Sequence, residues 1–68
     1  MVESIHSTAI IDSHAQLGDD VSVGPYAIVE PGVTIGNGSV IASHAVIKKD
    51  THLGKDVNVG HFSVVGGD

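Results

Sequence analysis

The chain has 68 residues, a net charge of −5 and no cysteine, which describes one small domain without disulfides. Eight acidic residues stand against Lys48, Lys49 and Lys55, a balance that excludes nucleic acid and anionic membranes as partners of this surface. No apolar run approaches the roughly 20 residues of a spanning helix, the first residues do not read as a signal peptide, and aromatic residues are reduced to Tyr26 and Phe62, so the interior must be narrow.

Residues 1–4 read as a lead-in. From Ile5 an aliphatic residue falls at every sixth position: Ile5, Ile11, Leu17, Val23, Val29, Ile35, Ile41, Ile47, Leu53, Val59 and Val65. Four residues after each lies a small or β-branched one: Ala9, Ala15, Val21, Ala27, Val33, Ser39, Ala45, Thr51, Val57 and Ser63. Glycine follows the aliphatic at 18, 24, 36, 54, 60 and 66. A period of six matches neither a helix nor a plain strand, so the repeat itself is the structural unit.

Each hexad reads as a short strand and a corner. In Ala27-Ile28-Val29 the outer two residues point inward and Ile28 points out. Three corner residues follow, where Gly, Asn and Asp tolerate positive φ; Asp20, Gly32, Gly38, Asp50 and Asp56 hold the last corner position. Three hexads close a triangular coil of 18 residues, and coils stack at about 4.8 Å as a parallel solenoid. Residues 5–22, 23–40 and 41–58 complete three coils. A fourth opens at Val59 and is cut mid-coil at Asp68, which suggests a piece of a longer solenoid.

Outward residues stack at intervals of 18. Ile10, Ile28, Val46 and Val64 form an apolar column; Gln16, Thr34 and His52 form a second, and Ser22, Val40 and Asn58 a third, both mainly polar. The corner leading into the apolar face carries Thr8, Tyr26, His44 and Phe62. A contiguous apolar stripe on an acidic rod is expected to be covered, and closed symmetry is the usual cover. The expected subunit contact is Ile10, Tyr26, Ile28, His44, Val46, His61, Phe62 and Val64. The alternative is a monomer with ordinary exposed aliphatics.

The segment Ile5 to Ile47, with its IHSTAIID opening, its VGPYAIVEPGVTIG stretch and its SHAVI coil, resembles the start of the UDP-N-acetylglucosamine O-acyltransferase family. The resemblance implies an all-β, left-handed parallel β-helix of about three and a half coils. Left-handedness comes from the resemblance, since parallel crossovers are generally right-handed. The trimer count comes from it too, giving a homotrimer through the apolar face. It implies a parent enzyme that moves a 3-hydroxyacyl group from acyl carrier protein to the 3-hydroxyl of UDP-N-acetylglucosamine. That is the first step of lipid A synthesis, in the cytoplasm and without a cofactor. Hexads beginning at Ile5 fit this family better than the N-acyltransferase of the same pathway, which has a domain before its solenoid. The family's general-base histidine lies several coils further on, and its substrate-binding Asp and Lys follow the position of Asp68. No catalytic, substrate-binding or metal residue is therefore assigned here, and the chain alone is expected to be inactive. Acyl carrier protein and UDP-N-acetylglucosamine would be partners only of the full-length enzyme.

Other motifs are weaker. His44 and His61, one residue short of a full coil apart, occupy adjacent positions on neighbouring coils. They either bond locally at the subunit contact or, as in the γ-class carbonic anhydrases, bind zinc between subunits. The spacing does not match that class, and the local role is the simpler one. His6, His14 and His52 are assigned to solvent on other corners or faces. Gly36-Asn37-Gly38 lacks the helix and lysine of a phosphate loop and reads as a turn; Lys48 and Lys49 read as a solvated corner. A non-catalytic trimeric scaffold is the alternative to the acyltransferase reading.

Overall fold

Strands only two residues long recur at every hexad, because each corner consumes the rest of the repeat. The computed structural model describes residues 4–66. Among them are eleven strands and no helix: β1 (Ser4–Ile5), β2 (Ile10–Ile11), β3 (Gln16–Leu17), β4 (Ser22–Val23), β5 (Ile28–Val29), β6 (Thr34–Ile35), β7 (Val40–Ile41), β8 (Val46–Ile47), β9 (His52–Leu53), β10 (Asn58–Val59) and β11 (Val64–Val65). They form three parallel sheets, ordered β1-β4-β7-β10, β2-β5-β8-β11 and β3-β6-β9. Partners are one coil apart, as Ser22↔Val40, Ile28↔Val46 and Thr34↔His52. The rod measures 32 × 21 × 19 Å. Ser4, placed in the lead-in by the sequence, pairs with Ser22 in the first strand.

The two inward columns make the core. Val23, Val29, Ile35, Ile41 and Ile47 are buried, and the column of Val21, Ala27, Val33, Ser39 and Ala45 is fully so. Ser39 is the one polar residue among them. Its Oγ donates to the Gly54 carbonyl at 2.9 Å and accepts the Val57 amide at 3.1 Å. With both bonds made, the buried hydroxyl carries no desolvation penalty. The three-residue strand Ala27-Ile28-Val29 is trimmed by one, because the Ala27 amide turns to close its corner on the Gly24 carbonyl.

The corners explain both prolines. Gly24 to Ala27 and Glu30 to Val33 have proline second and a residue of positive φ third, the arrangement of a type II turn. Every third corner residue from Asp20 to Phe62 has positive φ, including Tyr26 (60°), His44 (63°) and Phe62 (59°). From Gly38 to Phe62 the reason is a hydrogen bond. In that conformation the amide points back to the preceding coil, so His44 donates to Pro25 O at 3.0 Å and Phe62 to Ser43 O at 3.2 Å. Each such bond offsets the roughly 1–2 kcal/mol that a left-handed residue costs. In the first coil Thr8 and His14 lack positive φ. There the corners are tied by side chains, Asp12 Oδ1 accepting the His14 amide at 2.8 Å.

One corner is built from glycine for a different reason. A Cβ on Gly36 would lie 2.6 Å from the Gly54 carbonyl and 2.8 Å from the Lys55 nitrogen. Coils approach so closely at Gly18 and Gly36 that a side chain there would push them apart.

Candidate functional site

The sheet β2-β5-β8-β11 presents the column Ile10, Ile28, Val46 and Val64 to the outside, as its spacing requires. Ile10 is 63% and Val64 66% exposed; Ile28 and Val46 are more sheltered between them. On the other two sheets only Val40 interrupts polar columns of Ser4, Ser22 and Asn58, and of Gln16, Thr34 and His52.

The corner beside this face carries a ladder of rings. Tyr26 and His44 stack with centroids 5.2 Å apart and planes inclined at 28°, and His44 and Phe62 at 4.8 Å and 20°. Tyr26 is 59% and Phe62 75% exposed, so the ladder stands proud of the rod. Stacking of this kind contributes about 0.5–1.5 kcal/mol per pair beyond burial. Thr8 sits at the foot of the ladder. Its Oγ1 accepts the Tyr26 amide at 3.1 Å and lies 2.8 Å from His6 Nδ1. His61 Nδ1 lies 2.7 Å from Ser43 Oγ on the same corner.

All eight residues expected at the contact thus lie on one sheet or on the corner leading into it. His6 belongs with them and was missed, although its position, one coil before Gly24 and two before Ala42, was readable from the 18-residue period. His14 is on another corner, bonded to Asp12 at 3.2 Å, and His52 faces out from β9.

The chemistry available here is that of contact. His44 has a ring stacked on either side and His61 bonds Ser43, the local arrangement. Among the described residues no three His, Cys, Asp or Glu side chains converge as metal ligands. Ser43 and His61 have the separation of a nucleophile and base. The pair nevertheless stands on a convex, open corner, and no third group among the described residues bonds His61 to orient it. Among the same residues no helix is long and apolar enough to cross a membrane.

Repeat, fold and narrow aliphatic core define a class, the hexapeptide-repeat transferase. Residues 14–49 match the family described as bacterial transferase hexapeptide (six repeats), and the chain belongs to that family. Within it the likeness is to UDP-N-acetylglucosamine O-acyltransferases. The chain is 52% identical over 62 residues to the acyl-[acyl-carrier-protein]–UDP-N-acetylglucosamine O-acyltransferase of Saccharophagus degradans, covering 91% of this chain and 24% of that protein. It is 51% identical over 35 residues to UDP-3-O-acylglucosamine N-acyltransferase 1 of Legionella pneumophila strain Paris, covering 52% of this chain and 10% of that one. Among solved structures, the UDP-N-acetylglucosamine acyltransferase of Campylobacter jejuni superposes with a TM-score of 0.91 at 43% identity, over 93% of this chain and 25% of its own. The chain thus spans about a quarter of the length of those two O-acyltransferase-type relatives, and its fold is their left-handed parallel β-helix.

Proposed function

We propose that these coils are part of an enzyme transferring a 3-hydroxyacyl group from acyl carrier protein to the 3-hydroxyl of UDP-N-acetylglucosamine, the opening step of lipid A synthesis in the cytoplasm. The supporting observation is joint likeness in sequence and structure to such enzymes over nine tenths of the chain. In this reading the coils are structural. They supply a rigid, register-locked base and a subunit contact, and the chain alone does not turn over. A chimera tests it. Residues 4–66 replace the matching coils of the Campylobacter jejuni enzyme, and acyl transfer from 3-hydroxyacyl carrier protein to UDP-N-acetylglucosamine is measured. An active chimera is expected. A folded but inactive chimera would overturn the reading.

The exposed apolar column favours a companion role, assembly as a homotrimer through Ile10, Ile28, Val46 and Val64 with the Tyr26–His44–Phe62 ladder at its margin. Ile28→Glu places a charge at the centre of that face and should dissociate the trimer in sedimentation. An unchanged mass would remove this face from the contact.

A further inference from the structure

Gly36-Asn37-Gly38 contains the one Asn-Gly pair of the sequence. In such a pair no Cβ shields the nitrogen after the asparagine, so in a free chain it can reach the side-chain carbonyl carbon. The Gly38 nitrogen then bonds to Asn37 Cγ as the Cγ–Nδ2 bond breaks. Ammonia leaves with the Gly38 amide proton, and a five-membered imide remains. Solvent water opens the imide at either carbonyl. Breaking the new bond gives aspartate. Breaking the original peptide bond gives isoaspartate, with the main chain rerouted through the side chain. Asn58, the other asparagine, precedes β-branched Val59, which shields the nitrogen.

The folded corner restrains both reacting groups. Asn37 Oδ1 accepts the Asp19 amide at 2.8 Å, and the Gly38 amide donates to the Asp19 carbonyl at 2.8 Å. One residue of the preceding coil thus ties down electrophile and nucleophile together. Toward the following coil, the Asn37 carbonyl accepts the Asp56 amide at 2.9 Å. Gly36 to Ser39 closes as the proline corners do, with Gly38 at φ 77° and the Ser39 amide on the Gly36 carbonyl at 3.4 Å. In that turn the second residue has ψ of about +120°, which directs the Gly38 nitrogen away from the Asn37 side chain. Gly18 leaves room for the clamp, since a Cβ there would collide with Asn37 Oδ1. Asn37 itself is exposed, so water has access once the corner opens.

We propose that Asn37–Gly38 is a site of spontaneous deamidation whose rate is set by opening of the Asp19–Asn37 corner. Ring closure needs the side chain released from Asp19 and the turn unwound, which is local unfolding rather than side-chain motion. Loss of ammonia therefore records how often these two coils part. The aspartyl product keeps an acceptor for the Asp19 amide and can reclose. The isoaspartyl product lengthens the main chain by a carbon at a corner where coils lie too close for a Cβ, so it cannot reclose in register. The inference stands apart from both the acyltransferase reading and the trimer.

The experiment follows Asn37 by peptide mass mapping, which separates amide, aspartyl and isoaspartyl forms. The chain is incubated in mildly alkaline buffer, with circular dichroism as the check on folding. In urea, above the unfolding transition, the parent should deamidate readily and Gly38→Ala should suppress the reaction. Folded, the parent should react at least about tenfold more slowly than in urea, because two hydrogen bonds must break first. Asp19→Pro deletes the donor to Asn37 Oδ1 at a corner position that Pro25 and Pro31 hold elsewhere. In this folded variant the rate should rise about threefold to tenfold, the worth of the lost bond. Should Asp19→Pro fail to fold, a urea series on the parent serves instead, and the rate should climb no later than the β spectrum is lost. Equal rates in the folded and unfolded parent would overturn the proposal. So would an Asn37 that stays amide in urea, a folded Asp19→Pro chain that reacts no faster than its parent, or a rate that ignores urea.

Discussion

Ile35 and Leu53 hold the same place in successive coils, paired through β6 and β9, yet they live in different surroundings. Ile35 has a coil above and below and is 1% exposed; among the described residues Leu53 has a coil on one side only and is half-buried. The same contrast separates Gly36, whose missing Cβ would strike the next coil at 2.6 Å, from Gly54, where it would meet nothing. Repeats alike in sequence are therefore unlike in energy, because each coil is stabilised mainly by its neighbours.

The sharpest way to break this comparison is to truncate the two aliphatics. Ile35→Ala should cost about 2–5 kcal/mol in urea unfolding, and Leu53→Ala about half as much, since its surroundings can relax toward solvent. Equal losses would mean that the last coil is as well packed as the middle. Overpacking comes next. Ala27 is fully buried and Ala9 only partly, so Ala27→Leu should cost about 1–3 kcal/mol and Ala9→Leu clearly less. Gly36→Ala against Gly54→Ala sharpens the contrast on the backbone itself. The first should destabilise by about 1–3 kcal/mol, and the second should leave single-chain stability within about 0.5 kcal/mol. These comparisons belong in the Ile28→Glu background, where the proposed lateral contact does not contribute. The smallest effect is at a corner. Asp20→Gly relieves a residue at φ 59° but loosens the unfolded chain, so the net change should stay within about 1 kcal/mol.

Much of this architecture was legible beforehand. The inward columns follow from counting by six, since a buried prism accepts only branched aliphatics and small residues at those positions. The three faces follow from counting by 18, and the sheets place Ile10, Ile28, Val46 and Val64 together as that count required. The candidate contact was readable for the same reason. His6 shares the corner slot of Gly24 and Ala42, one and two coils further on, so its place beside the apolar face follows from the 18-residue period rather than from its spacing to the other histidines. The positive φ of Tyr26, His44 and Phe62 was not legible, because bulky residues ordinarily avoid it. It is imposed by an amide that must reach back to the coil before. A metal reading of His44 and His61 stood beside the local one in the sequence, since spacing alone says nothing of what a ring stacks on or bonds.

By itself the sequence determined the period, the prism, the aliphatic core and the distribution of apolar and polar faces, because these depend only on which residues recur at six and eighteen. The tertiary structure decided what depends on contact between coils. It stacked His44 between Tyr26 and Phe62, closed the corner to side chains at Gly18 and Gly36, and satisfied Ser39 in the core.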